Sequence, residues 1–282
     1  MCFLLFVKLN LDKVIFLYTY IEKMKKKIIN EKKNFEKNGY TVIKNIFKKS
    51  EVEELKKSVL KKLNLISKKK INFENLKDIH KKKIDKEVFS HLMKSSTRFI
   101  FLNQKNLNRI KKNSNIQNIL KNYWGHDNFQ IYWVGDPKKK EVKKNKIGFR
   151  VARPKIKSDT AKSHIDNYSG NMKSFLTLWV PLVGFSSNYV LNVFPGTHKF
   201  NHNQKILKKR KSISKIFSVK YLKNYTSKRF SLTCGDAIIF HPNLIHGSSY
   251  NLGTITRASV EFRMFNNKNF SINKTFDKKY NK

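Results

Sequence analysis

Beyond residue 146 the chain breaks into short runs rich in β-branched and aromatic residues, at 147–152, 175–182, 189–194, 230–233, 237–240 and 255–265. Pro and Gly punctuate them: Pro154, Pro181, Pro195-Gly196, Gly235, Pro242, Gly247 and Gly253. Runs of this length fit strands rather than helices, and none of them can bury a face alone. Many short strands joined by Gly/Pro turns predict a sandwich or barrel.

The first half reads differently. Val52, Leu55, Val59, Leu63 and Ile66 recur at helical spacing and predict one apolar helix face. Ser50-Glu51-Val52-Glu53 ahead of them carries the signature of a helix start. Before that helix, Asn38-Gly39 followed by Tyr40-Thr41-Val42-Ile43 predicts a turn and a short strand.

One His-x-Asp triplet occurs, His164-Ile165-Asp166. Alone it is a weak signal, and a turn with a solvated Asp fits it better. The stretch 235–248 then supplies His246 and Ser248, and Arg257 follows inside the last β-run. Two neutral imidazoles and one carboxylate on one face of a metal suit Fe(II), because three coordination positions stay open. A 2-oxoglutarate chelate can take two of them and O2 the third. The far carboxylate of 2-oxoglutarate then needs a cation, and arginine's planar fork provides two parallel donors.

In these residues the chain resembles the phytanoyl-CoA dioxygenase family of Fe(II)/2-oxoglutarate-dependent oxygenases. The matching pieces are His164-Ile165-Asp166, Leu178-Trp179-Val180-Pro181-Leu182, Phe194-Pro195-Gly196-Thr197-His198-Lys199, and 235–248 with Arg257. The resemblance is clearest over 147–265 and extends weakly to the Gly39-Tyr40 strand and the helix after it. It implies a mainly β protein with N-terminal helices and a double-stranded β-helix (jelly-roll, cupin-like) core. It implies His164, Asp166 and His246 as catalytic iron ligands and Arg257 as the partner of the 2-oxoglutarate carboxylate. Ser248 and Trp179 match further co-substrate contacts; their plain alternatives are a turn hydroxyl and a core aromatic. Related halogenases replace the ligand carboxylate with a small residue. Asp166 is intact, so hydroxylation is expected, or a related desaturation or epimerisation. The stretch Arg150-Val151-Ala152-Arg153-Pro154 looks like members associated with carbohydrate biosynthesis, which suggests a carbohydrate or nucleotide-sugar substrate.

Composition bears on the alternatives. The chain of 282 residues carries 61 Lys and Arg against 19 Asp and Glu, a formal charge of +42. Only eight of the 61 are arginine, and both halves are basic. Lysine and asparagine have A/T-rich codons, so a coding bias explains them without a nucleic-acid partner. A lysine-rich solvated surface is the expectation. The segment 199–229 is denser, with eleven Lys and Arg and no acid, and reads as a basic insertion between strands. It would attract an anionic small-molecule substrate, or be a solvated loop. A non-enzymatic cupin-like binding module is the competing function class.

Cys2 and Cys234 are the only cysteines, so there is no disulfide framework and no CxxC zinc site; a cytoplasmic location fits. Residues 1–23 are apolar but interrupted by Lys8, Asp12 and Lys13, so no transmembrane helix is expected. They read as an extension or a mis-called start before Met24. Residues 24–282 read as one domain. His241 and His198 are expected to be structural, His80, His91, His126 and His202 to lie on the surface, and Arg150 and Arg153 to be strand-face charge or substrate contacts.

Overall fold

The computed structural model describes residues 13–22, 33–67, 71–94, 97–134, 142–166, 175–185, 190–200, 215–217 and 219–268. The predicted N-terminal strand forms as β1 (Tyr40–Ile43), and the predicted helix forms as α1 (Lys49–Ile66). That helix starts earlier than Ser50. Lys48 is its N-cap residue, and Glu51 reaches back to accept the Lys48 N–H at 2.7 Å. Its buried stripe of Val52, Leu55, Val59 and Leu63 is the one expected from spacing. Each such side chain contributes roughly 1.5–3 kcal/mol when fully buried. Three shorter helices follow, α2 (Lys86–Leu92), α3 (Gln104–Lys111) and α4 (Ser114–Trp124). Asp85, Asn103 and Asn113 cap them by accepting a first-turn N–H.

The strands make two antiparallel sheets. The larger runs β1, β10 (Ala237–Phe240), β7 (Phe175–Val183), β12 (Arg257–Asn266), β3 (Phe129–Val134), β4 (Val142–Lys144). β12 is its spine. β7 lies along one edge of it, while β5 (Lys146–Ala152) takes the first half of the other edge and β3 the second. β2 (Phe99–Phe101) pairs with β5. The smaller sheet runs β8 (Leu191–Val193), β11 (His246–Ser248), β6 (His164–Ile165), β9 (Lys215–Ile216).

Side-chain parity then sorts the core, because successive strand residues point to opposite faces. Leu176, Leu178, Val180 and Leu182 of β7 pack with the α1 stripe, as do Ala258, Val260, Phe262 and Met264 of β12. The alternate residues, among them Thr177, Trp179, Arg257 and Arg263, face the smaller sheet. A polar interior between two sheets is therefore built into the alternation. This is the expected double-stranded β-helix with helices on one face.

Several local expectations need correction. The first half is not purely helical: β2, β3 and β4 extend the larger sheet, β2 and β3 through the distant partners β5 and β12, and β4 by pairing with its neighbour β3. Residues 230–233 form no strand; Phe230 and Leu232 are apolar because they fill the space between the sheets around Trp179. Of the basic segment 199–229, residues 201–214 and 218 lie outside the described residues. The described part is more than a loop. β9 pairs with β6, opposing Ile216 to His164, and a four-residue helix α5 (Val219–Leu222) follows.

Candidate metal centre

β6 and β11 are short, but their register is decisive. His164 and His246 are direct cross-strand partners, so both imidazoles project to the same face with ring centroids 4.5 Å apart. Asp166 lies two residues beyond His164 and returns to that face by strand parity; its N–H donates to Pro242 O at 2.8 Å. The Asp166 carboxylate Oδ1 is 3.8 Å from His164 Nε2 and 3.7 Å from His246 Nε2. One ligand atom from each residue falls within 4.8 Å of the others. Gly247 permits this closeness. A Cβ there would stand 3.0 Å from both Ala161 O and Ser163 Cα, on the segment that carries the triplet.

The donor set is also chemically prepared. His164 Nδ1 lies 2.7 Å from Lys162 O, and His246 Nδ1 lies 3.0 Å from Leu244 O. A carbonyl only accepts, so each Nδ1 carries the proton and each Nε2 presents its lone pair inward. Burial, reinforced by His246, lowers the His164 pKa to about 3, which keeps the ring neutral. Asp166 Oδ2 accepts the Thr177 hydroxyl at 2.8 Å, leaving Oδ1 for a metal. Burial opposes ionisation of Asp166, but Arg263 and the two imidazoles outweigh it and bring its pKa to about 2. Two neutral nitrogens and one ionised oxygen fit Fe(II).

Arg257 opens β12 on the interior face and is 3 % exposed. Its Nη1 donates to Ser249 O at 2.9 Å, and burial lowers its pKa to about 10. A buried guanidinium in this state gains from an anionic ligand. Ser248 accepts the Ala161 N–H at its hydroxyl oxygen, so the hydroxyl proton remains available to donate. Trp179 lies between the sheets among Tyr40, Leu191, Val193 and Ile238, an apolar setting.

Two residues at the centre escaped sequence reasoning. Thr177 holds Asp166 Oδ2. Arg263 is 2 % exposed and places Nη2 3.5 Å from Asp166 Oδ1. The signal for Arg263 was available: it shares strand parity with Arg257. Arg153 is not a substrate contact. It clamps Asp159 at 2.8 and 3.0 Å and donates to Ile84 O, a buried structural pair. His241 packs edge-on against Tyr123 and beside His198. His80 is half-buried rather than on the surface, with Nδ1 3.0 Å from Thr256 Oγ1. His202 lies outside the described residues.

An antiparallel jelly roll here gathers two histidines and an aspartate between its sheets, a group that could hold a metal ion. The sequence matches the family model of phytanoyl-CoA dioxygenase (PhyH) over residues 35–259, and the chain belongs to that family. It is an Fe(II)- and 2-oxoglutarate-dependent oxygenase. No curated protein matches it in sequence.

Solved structures give the same architecture. The 2-oxoglutarate-dependent carbocyclase SnoK of nogalamycin biosynthesis has a TM-score of 0.52 at 11% identity, covering 83% of this chain and 82% of that one. The epimerase SnoN, in complex with Fe3+, alpha ketoglutarate and nogalamycin RO, has a TM-score of 0.52 at 12% identity, covering 86% and 84%. EctD from S. alaskensis, with 2-oxoglutarate and 5-hydroxyectoine, has a TM-score of 0.54 at 17% identity, covering 85% and 76%. At these identities the likeness is one of fold. Among the described residues no helix is long and apolar enough to cross a membrane.

Proposed function

We propose that His164, Asp166 and His246 hold the iron, and that Arg257, Ser248 and Trp179 hold 2-oxoglutarate. The enzyme then oxidises a C–H bond of a small metabolite, a carbohydrate or nucleotide-sugar intermediate. The observation that carries the reading is the prepared donor set: two Nε2 lone pairs and one free carboxylate oxygen meet at one point, each with its other polar atom already engaged.

Once bound, Fe(II) with 2-oxoglutarate supplies O2 activation coupled to oxidative decarboxylation of the co-substrate. The chain's residues do the positioning. The backbone carbonyls of Lys162 and Leu244 fix the imidazole tautomers. Thr177 fixes the rotation of the Asp166 carboxylate. Arg257 offers its fork to the far carboxylate of 2-oxoglutarate, with the Ser248 hydroxyl as a second donor. Trp179 and its apolar neighbours exclude water from that end.

The carbohydrate assignment draws on the Arg150–Pro154 stretch ahead of the triplet. The substrate is proposed to be anionic, given the basic residues that line β5 and the 199–229 segment. Under argon with Fe(II), 2-oxoglutarate should give a metal-to-ligand visible band. His164→Ala or Asp166→Ala should abolish it, and retention would overturn the ligand assignment. Arg257→Ala should weaken 2-oxoglutarate far more than iron. A screen reading succinate formation over sugars, nucleotide sugars and amino-acid-like solutes tests the substrate class; stimulation by the last group alone would reject the carbohydrate reading.

A further inference from the structure

We propose that the helix of residues 13–22 lies in the surface of an anionic membrane and tethers the enzyme to it. This helix stands apart from the catalytic fold. The family match begins at residue 35, and Phe35 is the first core residue among those described. The helix therefore adds a property that the β-helix core and its metal centre do not need.

Its surface is the unusual feature. Every apolar or aromatic side chain from Val14 to Ile21 is 42–73 % exposed. Seven of the thirteen large hydrophobic residues exposed among the described ones lie in this one helix, and the other six are scattered singly. Single exposed apolar residues are ordinary, whereas a contiguous apolar patch marks a surface that something covers. Val14, Leu17, Tyr18 and Ile21 recur at helical spacing and make one stripe, with Thr19 and Glu22 on the far side. Ile15, Phe16 and Tyr20 carry apolar surface beyond that stripe, round most of the circumference. A protein groove buries one face of a helix; fluid lipid closes over several. Thr19 is also prepared for an apolar medium, because its hydroxyl donates to Ile15 O at 2.8 Å within the helix.

Charge decides what the covering surface is. Four lysines follow the helix in sequence, Lys23, Lys25, Lys26 and Lys27, and Lys13 opens it. A second copy would bring the same lysines against these, and a chain of formal charge +42 repels itself. The surface that fits is negative outside and apolar beneath, as an anionic lipid leaflet is. Tyr18 and Tyr20 suit its headgroup depth, with an apolar ring and a polar tip. The ten helical residues make about 15 Å at a rise of about 1.5 Å each, half the bilayer core, so the helix lies along the membrane and does not cross it. An apolar segment alone anchors weakly and reversibly. Each lysine near an anionic surface adds about 1 kcal/mol, and the two signals together give stable attachment.

The test is co-sedimentation of the full chain with vesicles of phosphatidylcholine, with and without phosphatidylglycerol. The chain should bind the anionic vesicles at least about 10-fold more tightly than the neutral ones, and less tightly as salt rises. The double variant Leu17→Gln, Ile21→Gln keeps the charge and removes two residues of the stripe. It should bind at least about 10-fold more weakly, with an unchanged Tm. Replacing Lys23, Lys25, Lys26 and Lys27 by Gln should weaken binding by a similar factor or more. No binding to anionic vesicles overturns the proposal. So does binding that the double variant retains in full, since the charge of the enzyme body would then suffice. A lower Tm in the double variant would show that the stripe packs on the protein itself. A lipid-free dimer in sedimentation velocity that the double variant splits would make a second copy the occupant. Either result overturns the membrane assignment.

Discussion

Arg263 Nη2 stands 3.5 Å from Asp166 Oδ1, the carboxylate oxygen that both ligand imidazoles face. The cation neutralises a buried carboxylate and, on the proposed iron assignment, would also hold that carboxylate in place beside the metal. Arg263→Gln removes the charge and leaves Asp166 buried. Breaking one side of a buried pair costs about 3–5 kcal/mol. A bound metal replaces the lost cation and offsets part of that cost by mass action. The apo Tm of Arg263→Gln should therefore fall more than the Fe(II)-loaded Tm, by differential scanning fluorimetry. Equal losses would mean that Arg263 supports the fold without supporting the ligand.

Thr177 acts through the other oxygen of the same carboxylate. Thr177→Val keeps the volume and removes the hydroxyl that donates to Asp166 Oδ2. Groups that orient a metal ligand typically contribute 10–100-fold in metal affinity. Fe(II) affinity should drop by about that factor while urea stability of the apo protein changes little. Unchanged affinity in a metal titration would show that Asp166 is aimed by its backbone alone.

Arg153 and Asp159 should behave as structure. Asp159→Asn leaves the Arg153 guanidinium buried without its carboxylate, against the Phe89 ring at 3.9 Å. The cost should be about 3–5 kcal/mol in urea unfolding, with the 2-oxoglutarate band unaffected in the folded protein. Weakened 2-oxoglutarate binding would return Arg153 to the site.

Asp236 gives the stability a pH signature. Its buried carboxylate accepts Lys44 Nζ at 2.8 Å, the Asn45 and Thr233 N–H groups at 3.1 and 2.8 Å, and the Thr233 hydroxyl at 2.9 Å. Burial alone would raise its pKa, but Lys44 and the N–H donors lower it below the ordinary aspartate value. A depressed folded pKa means the stabilisation is fully present above the unfolded value of about 3.9, and lost as pH falls through the folded one. Lys44 is 59 % exposed, so the ion pair itself adds little and the backbone donors carry the effect. Wild-type urea stability should fall below about pH 4. Asp236→Asn should be less stable near neutrality and flatter across that window; parallel profiles would reject the assignment.

Legibility varied by residue. The α1 stripe, β1, β5, β7, β10 and β12 were readable because helix and strand periods are local properties of the chain. His164 and Asp166 were readable because two residues is the strand repeat. β3 was missed, although Phe129-Gln130-Ile131-Tyr132 alternates, since its partner Arg263 lies at the far end of the chain. Residues 230–233 look like a strand, but their apolar side chains serve packing without a ladder.

By itself the sequence determined alternation, turns and the identity of the ligand types. It also set which residues share a face of β12, and so that Arg257 and Arg263 point into the same interior. Only the tertiary structure decided which arginine meets which acid. Arg153 finds Asp159 six residues away and is spent on the fold, whereas Arg263 meets Asp166 across the two sheets. A guanidinium's role depends on the carboxylate within reach, and reach across a sandwich is set by strand order and register, which no local pattern encodes.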